Sequence, residues 1–405
     1  MNFIDELKWR GMINDLTPGL EEKLLSGVNS AYVGFDPTAS SLHIGNLAPV
    51  MLLTHFQNCG HKPILLLGGA TAMIGDPSGK STERKLLDPD EINKNLVAIK
   101  NQLQTFLDFK SKDKGAEFVN NLDWMEPINF NTFLREIGKY ITVNYMLSKD
   151  SVKNRMETGI SFTEFSYQLI QAYDFLYLFK NKNCAIQIGG SDQWGNIVNG
   201  VELIKRQSGN TAYGLTTPLI TLASGAKMGK TEQGAVWLDK KMLSPYDYWQ
   251  FWRNTDDRDV IKFLKMFTDL SLEKIENIKT KDINYLKILL ANETTSMLHG
   301  GEAARQSEET AKNTFKNKSI DENLPSVTIS KNQIEKEINI LDIVILSKML
   351  SSKGEIRRMI KNKGIKINNV TIDNEKRMIS KKDFKENSML KLSLGKKKHT
   401  VFKIN

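Results

Sequence analysis

Three short apolar runs, Ala31-Tyr-Val-Gly-Phe35, Pro63-Ile-Leu-Leu-Leu67 and Cys184-Ala-Ile-Gln-Ile188, constrain the fold of this chain more than any other feature. None alternates apolar with polar residues, so none reads as a strand with one wet face. Each reads as a strand buried on both faces, and stretches of helical periodicity separate them. A parallel sheet inside an α/β fold meets both conditions. Two of the runs continue into Gly68-Gly69 and Gly189-Gly190, which lets backbone and ligand approach closely at the carboxyl edge, where such sheets bind ligands. The functional site is expected at that edge.

The rest of the chain is organised around this sheet. A helical insertion, including Glu91 to Asp108 and Phe130 to Leu147, lies between the second strand and the later ones. From Ser244 to Lys316 apolar residues recur at helical spacing, among them Tyr248, Phe251 and Trp252, then Ile261, Phe263, Leu264 and Phe267, with no credible strand. Four segments are expected: 1–222 as the sheet domain with its insertion, 223–316 as a mobile loop and helical domain, 317–340 as a polar linker containing Pro325, and 341–405 as a basic α+β module.

Charge singles out that last module. Leu341 to Asn405 holds 17 Lys+Arg against 6 Asp+Glu, an excess greater than the +9 of the whole 405-residue chain. A polyanion partner accounts for charge concentrated at one end. Lys353, Arg357, Arg358 and Lys361 recur along one helical face, which serves equally as a solvated surface or as a track for a phosphate backbone. No run of about 18 apolar residues occurs, and the N-terminal residues lack a signal-peptide core, so a cytoplasmic protein without membrane association is expected. Cys59 and Cys184 have no partnered spacing, which argues against disulfides and a cysteine-built metal site; no protein-bound metal is expected.

Several motifs carry chemistry. After the first strand, His43-Ile-Gly-Asn46 opens an apolar helix, and a helix N-terminus with a histidine and an amide beside a strand end suits a nucleotide phosphate. Lys227-Met-Gly-Lys-Thr231 follows Ala223-Ser-Gly-Ala226, so its lysines sit on a flexible loop able to close around charge that develops in a transition state. Gly75-Asp-Pro-Ser-Gly-Lys-Ser81 has one residue too few between its glycines for a P-loop, which excludes that class of NTPase. Lys80 and Arg84 remain as a cationic grip for departing pyrophosphate. Tyr167, Gln171 and Asp174 share one stripe of an otherwise aromatic helix. Either the stripe is exposed, or its buried carboxylate awaits a ligand that donates a hydrogen bond. Ser191-Asp-Gln-Trp-Gly195 follows the third strand, where Asp192 is placed for a ribose hydroxyl.

Taken together, these residues resemble a class I aminoacyl-tRNA synthetase, with His43 to Asn46 as its HIGH motif and Lys227 to Thr231 as its KMSKS motif. Tyr32-x-Gly-Phe-Asp-Pro-Thr38, Gly75 to Lys80, Tyr167-x-x-x-Gln-Ala-Tyr-Asp174 and Gly190-Ser-Asp-Gln-Trp194, in this order, are similar to the bacterial-type tyrosyl-tRNA synthetase family. The basic C-terminal segment resembles an RNA-binding module named after a small-subunit ribosomal protein. The resemblance implies a Rossmann-like catalytic domain, tyrosine, ATP accompanied by Mg²⁺, the tRNA for tyrosine, and a homodimer. It also implies roles. Tyr32 and Asp174 would read the tyrosine hydroxyl, Asp76, Tyr167 and Gln171 its ammonium, and Gln193 with Lys80 its carboxylate. Gly34, Asp36, Thr38, His43 and Asn46 would line the ATP site and Asp192 the ribose. Lys80, Arg84, Lys227, Lys230 and Thr231 would hold pyrophosphate, and Lys353, Arg357, Arg358 and Lys361 would contact RNA. Asn46 replaces the second histidine of HIGH, and Pro49 removes any hydroxyl one turn into the helix. The tryptophan-specific synthetases share the fold, but Tyr32 paired with Asp174 and the C-terminal module argue for tyrosine.

Overall fold

The computed structural model describes residues 2–78, 86–156, 159–231, 234–316, 324–385, 388–395 and 398–404. The chain divides into two compact units, one of residues 1–229, 237–239 and 256–286, the other of 230–236, 240–255 and 287–405.

The first unit is built on a six-stranded sheet of β1 (Asp15–Leu16), β2 (Ser30–Phe35), β3 (Lys62–Leu67), β4 (Glu117–Asn120), β5 (Cys184–Gly190) and β6 (Tyr213–Thr217). Their spatial order is β1-β6-β5-β2-β3-β4, all parallel except β1, which pairs antiparallel with β6 at one edge. The three apolar runs are the three central strands, β5, β2 and β3. From β2 the chain winds outward through β3 and β4, then returns to β5 and β6 on the other side. The switch point therefore lies between β2 and β5, where a crevice opens beyond the strand ends.

Helices cover the sheet. Phe162–Lys182 starts where the Ser161 hydroxyl accepts from the Glu164 amide and stops at Asn183, which adopts the left-handed conformation with φ 50°. Of its apolar members, Leu169 and Leu176 are buried in the core while Phe162 is exposed, so the aromatic helix is not buried all round. In the insertion, Pro89–Leu103 begins at the Asp88 cap and ends five residues short of the expected Asp108; Phe130–Glu136 and Val143–Leu147 are separate short helices.

Two expectations about domains require correction. Residues 256–286 pack with the sheet unit rather than forming one helical domain with 240–255 and 287–316. Arg10, 3% exposed, reaches from the N-terminal helix to the carbonyls of Thr268 (3.1 Å) and Leu270 (3.0 Å), so the end of helix Val260–Phe267 is tied to the sheet unit. The second correction concerns 324–340, expected within the linker. Ser326–Ile329 is a strand, Lys331–Glu335 a helix and Ile338–Asn339 a further strand.

In the second unit, Tyr248 and Trp252 bury one face of helix Pro245–Arg253, and the Trp249 indole donates to Asn292 at 2.7 Å. The C-terminal body is a five-stranded sheet in the order Val370–Thr371, Ile365–Ile367, Met389–Leu394, Lys398–Ile404, Ser326–Ile329. Only the last pair is parallel. Helices Ile340–Leu346 and Lys353–Lys361 close its core through Ile343, Val344, Ile356 and Ile360, against Leu390, Leu392 and Phe402.

Candidate active site

Residues from β2, the segment after β4 and the helix Phe162–Lys182 form the floor of the crevice. Tyr32 lies on β2, 1% exposed, with its ring 5.4 Å from that of Phe175. Its hydroxyl is buried and has no hydrogen-bond partner among the described residues. Burial and the nearby Asp174 push its pKa well above the usual phenol value, so it remains a donor. Asp174, also 1% exposed, accepts from the Trp124 indole at 2.8 Å and from the Asn121 amide at 3.0 Å. Burial raises its carboxyl to about 7, with a smaller upward push from Asp36 and two opposing hydrogen bonds.

Neither Asn121 nor Trp124 was found from sequence. Both follow β4, a half-buried strand that lacks the apolar run of its neighbours; the Asn120-Asn121 pair ahead of a buried Trp was the one available signal. The network continues toward β2. The Asn121 amide also reaches the Thr71 hydroxyl (3.0 Å), Thr71 donates to Asp36 (2.7 Å), and the Tyr167 hydroxyl donates to the other Asp36 oxygen (2.8 Å). Burial, Asp36 and Asp76 keep Tyr167 protonated.

The Gly-Gly strand ends acquire a different meaning here. A Cβ at Gly68 would collide with the Asp36 carboxylate and the Thr71 hydroxyl, and one at Gly69 with the Asn120 amide. The cleared space is filled by the protein's own polar side chains, whereas the sequence suggested a close-lying ligand. Gly68→Ala is therefore expected to displace Asp36, lowering catalytic activity about 10- to 100-fold while destabilising the fold by only about 1–3 kcal/mol. Steady-state kinetics alongside thermal unfolding check this; unchanged activity would contradict it.

Along the mouth, Gln193 donates to Asp76 (2.7 Å) and accepts from Gln171 (3.4 Å), while Asn196 donates to Gln171 (3.0 Å). The other Asp76 oxygen accepts from the Ser78 amide at 2.9 Å, closing the loop after Gly75. Asp192 stands at the rim. Desolvation and the charge of Asp76 raise its carboxyl, and Lys227 works against that rise.

On the remaining side, His43 is extended and caps the turn Ile44–Asn46. Its Nδ1 accepts from the Gly45 amide (3.1 Å) and its own amide donates to the Asn46 side-chain oxygen (3.0 Å). With Nδ1 used as an acceptor, the ring proton sits on Nε2, and the Asn46 NH₂ is left to donate. The Trp237 ring lies edge-on to His43 at 6.3 Å. Gly34 and Thr38 are exposed, and the Thr38 amide donates to the Asp36 carbonyl. Lys227 is exposed on a hairpin whose Gly229 backs onto Gly45: a Cβ at Gly229 would lie 3.5 Å from the Gly45 nitrogen. Lys80 and Arg84, and the side chains of Lys230 and Thr231, lie outside the described residues.

In the second unit Lys353, Arg357, Arg358 and Lys361 are all exposed on helix Lys353–Lys361. Lys353 pairs with Asp342 (2.6 Å) and Arg357 with Glu375 (3.2 Å), which moderates the positive face without removing it. No helix among the described residues is long and apolar enough to cross a membrane.

The parallel sheet with its switch-point crevice, the His43 turn and the lysine hairpin define a class I aminoacyl-tRNA synthetase. The family model for class I tRNA synthetases (W and Y) matches residues 26–316, and that for the tyrosine–tRNA ligase SYY-like C-terminal domain matches residues 306–402. The chain belongs to the bacterial-type tyrosyl-tRNA synthetase family. It is 58% identical to a tyrosine–tRNA ligase of Pelagibacter ubique over 98% of both chains, and 45% identical to one of Amoebophilus asiaticus over the full length of both. Among solved structures it resembles a C-terminally truncated mitochondrial tyrosyl-tRNA synthetase of Aspergillus nidulans (TM-score 0.71, 32% identity, 78% of this chain and 94% of that one).

Proposed function

We propose that the chain is a tyrosine–tRNA ligase that activates L-tyrosine with ATP, releases pyrophosphate, and transfers tyrosine to the 3′-terminal adenosine of its tRNA. The observation that carries this reading is the unpartnered Tyr32 hydroxyl buried beside the Asp174 carboxylate. A phenol completes that pair, donating to Asp174 and accepting from Tyr32. An aliphatic or plain aromatic ring leaves the Tyr32 hydroxyl unsatisfied and offers Asp174 no donor beyond Trp124 and Asn121. Tyrosyl-tRNA synthetases are the reference case for such discrimination, about 10⁵ against phenylalanine without editing.

The substrate's ammonium falls to Asp76, Gln171 and Tyr167; because Tyr167 spends its proton on Asp36, its oxygen is left to accept. Gln193 and Lys80 hold the carboxylate. Gly34, Asp36, Thr38, His43 and Asn46 receive ATP, with Mg²⁺ as part of that substrate, and Asp192 takes the ribose. The tyrosine carboxylate attacks the α-phosphorus and the bond to the β-phosphate oxygen breaks, so the substrate is its own nucleophile. The protein contributes position and charge. Lys80, Arg84, Lys227, Lys230 and Thr231 stabilise the departing pyrophosphate. In the second step a ribose hydroxyl of the tRNA attacks the acyl carbon and AMP leaves. Lys353, Arg357, Arg358 and Lys361 engage the tRNA backbone.

A homodimer in the cytoplasm fits this reading, since Phe130 (62% exposed), Val143 (59%), Met156 (54%) and Phe162 (67%) leave apolar surface for a second copy. Amino-acid-dependent ATP–pyrophosphate exchange tests the assignment. Exchange is expected with tyrosine and is negligible with phenylalanine or tryptophan; exchange with tryptophan alone, or with neither tyrosine nor tryptophan, would overturn it.

A further inference from the structure

The lysine loop is rooted by a helix that follows it in sequence. Residues Ile220 to Met228 form a small hairpin: the Met228 amide donates to the Ile220 carbonyl and the Leu222 amide to the Ala226 carbonyl, each at 2.8 Å, with Thr221 opposite Lys227. Bonds made by Ile220, Leu222, Ala226 and Met228 turn the Thr221 carbonyl and the Ala223 amide away from the hairpin partner. Both are taken by the first turn of the segment leading into helix Val260–Phe267. The Asp259 carboxylate accepts from the Ala223 amide at 2.7 Å, and the Lys262 ammonium donates to the Thr221 carbonyl at 3.0 Å. Asp259 is 5% exposed and stands at the N-cap of that helix, yet its side chain makes no cap bond there. The cap bond at this end is made by Asp256, whose side chain accepts from the Arg258 amide, so the buried Asp259 carboxylate is committed to the loop amide.

We propose that Asp259, assisted by Lys262, is a positioning residue for tyrosine activation: it fixes the turn end of the hairpin so that Lys227, paired across from Thr221, meets the departing pyrophosphate. The open end has its own stop, since Gly229 (φ 118°) backs onto Gly45 beside His43. Held at 221–223 and seated at 229, the strand that carries Lys227 is fixed at both ends. The proposal rests on assigning Lys227 to pyrophosphate.

Pre-steady-state measurement of adenylate formation, with equilibrium tyrosine binding and thermal unfolding on the same samples, tests the idea. Asp259→Ala is expected to slow adenylate formation about 10- to 100-fold and leave tyrosine affinity within about twofold. Asp259→Asn keeps an oxygen for the Ala223 amide and is expected to stay within about threefold of the parent protein. Because Asp259 acts through Lys227, Lys227→Ala costs less on the Asp259→Ala background than alone. Equal losses of tyrosine affinity and rate, an Asn variant as slow as Ala, or additive effects of Asp259→Ala and Lys227→Ala would overturn the proposal. If Lys227→Ala alone leaves the rate unchanged, the assignment of the lysine loop fails, whatever Asp259 does. Should the Ala variant fold poorly, Lys262→Ala, an exposed change that removes the contact to the Thr221 carbonyl, is expected to slow adenylate formation at unchanged tyrosine affinity, and an unchanged rate would overturn the proposal.

Discussion

Asp174→Ala abolishes tyrosine activation, with kcat/KM in tyrosine-dependent exchange falling by at least about 10³-fold. The loss is large because the change removes the acceptor for the phenol and also strands two buried donors, Trp124 and Asn121, that now point at it. Unchanged exchange kinetics would refute the role. The raised carboxyl adds a pH signature. With Asp174 titrating at about 7 in the free protein, kcat/KM for tyrosine falls about tenfold per pH unit below that value, since only the carboxylate accepts from the phenol. Folding stability runs the other way. Its folded-state pKa lies above the ordinary 3.8, so the protonated form stabilises the fold. That contribution is complete below about pH 4 and is lost as the pH rises through about 7, at up to about 1.4 kcal/mol per pH unit. Asp174→Asn lacks this slope. Chemical denaturation of both proteins from pH 4 to 8 reads the difference directly; parallel profiles would mean that the carboxyl is not shifted.

The second large effect concerns the tRNA. Deleting everything after Pro325 removes the strand Ser326–Ile329 together with its sheet, and is expected to leave tyrosine-dependent exchange within about twofold. Charging of tRNA is then expected to fall by roughly 10²-fold or more, through loss of the phosphate contacts proposed for the exposed cations of helix Lys353–Lys361. A shallower salt dependence of residual tRNA binding should accompany the loss. Parallel collapse of exchange and charging would show that the C-terminal body serves activation as well.

Much of this was legible in the sequence, for identifiable reasons. Strands β2, β3 and β5 announced themselves because a strand covered on both faces has an unbroken apolar run. The stripe of Tyr167, Gln171 and Asp174 was visible because a helix repeats every 3.6 residues. What stayed hidden depends on distant partners. β4 carries Glu117 and Asn120 and is only half-buried, so it has no apolar signature, and the two residues that hold Asp174 went unseen with it. Gly68 signalled a close approach correctly, but sequence spacing could not say that the approaching group is Asp36. Ser326–Ile329 looked like linker because four residues in polar surroundings form a strand only when a mate is supplied from elsewhere. Residues 256–286 show the same limit: helical periodicity identifies a helix and is silent about which body it packs against.

That mate has a consequence for biogenesis. Ser326–Ile329 pairs in parallel with Lys398–Ile404, with the whole C-terminal body between them in sequence. During synthesis the sheet unit has all its strands once Thr217 has emerged. The segment at 326–329, by contrast, waits unpaired until residue 404 exists, exposing a strand edge for several seconds at ordinary rates of translation. Pro325 directly before it and the polar Ser330-Lys-Asn332 after it lower the risk of mispairing during that interval. Loss of the Lys398–Ile404 strand, by a late stop codon or a protease, would therefore undo a domain that begins some seventy residues earlier.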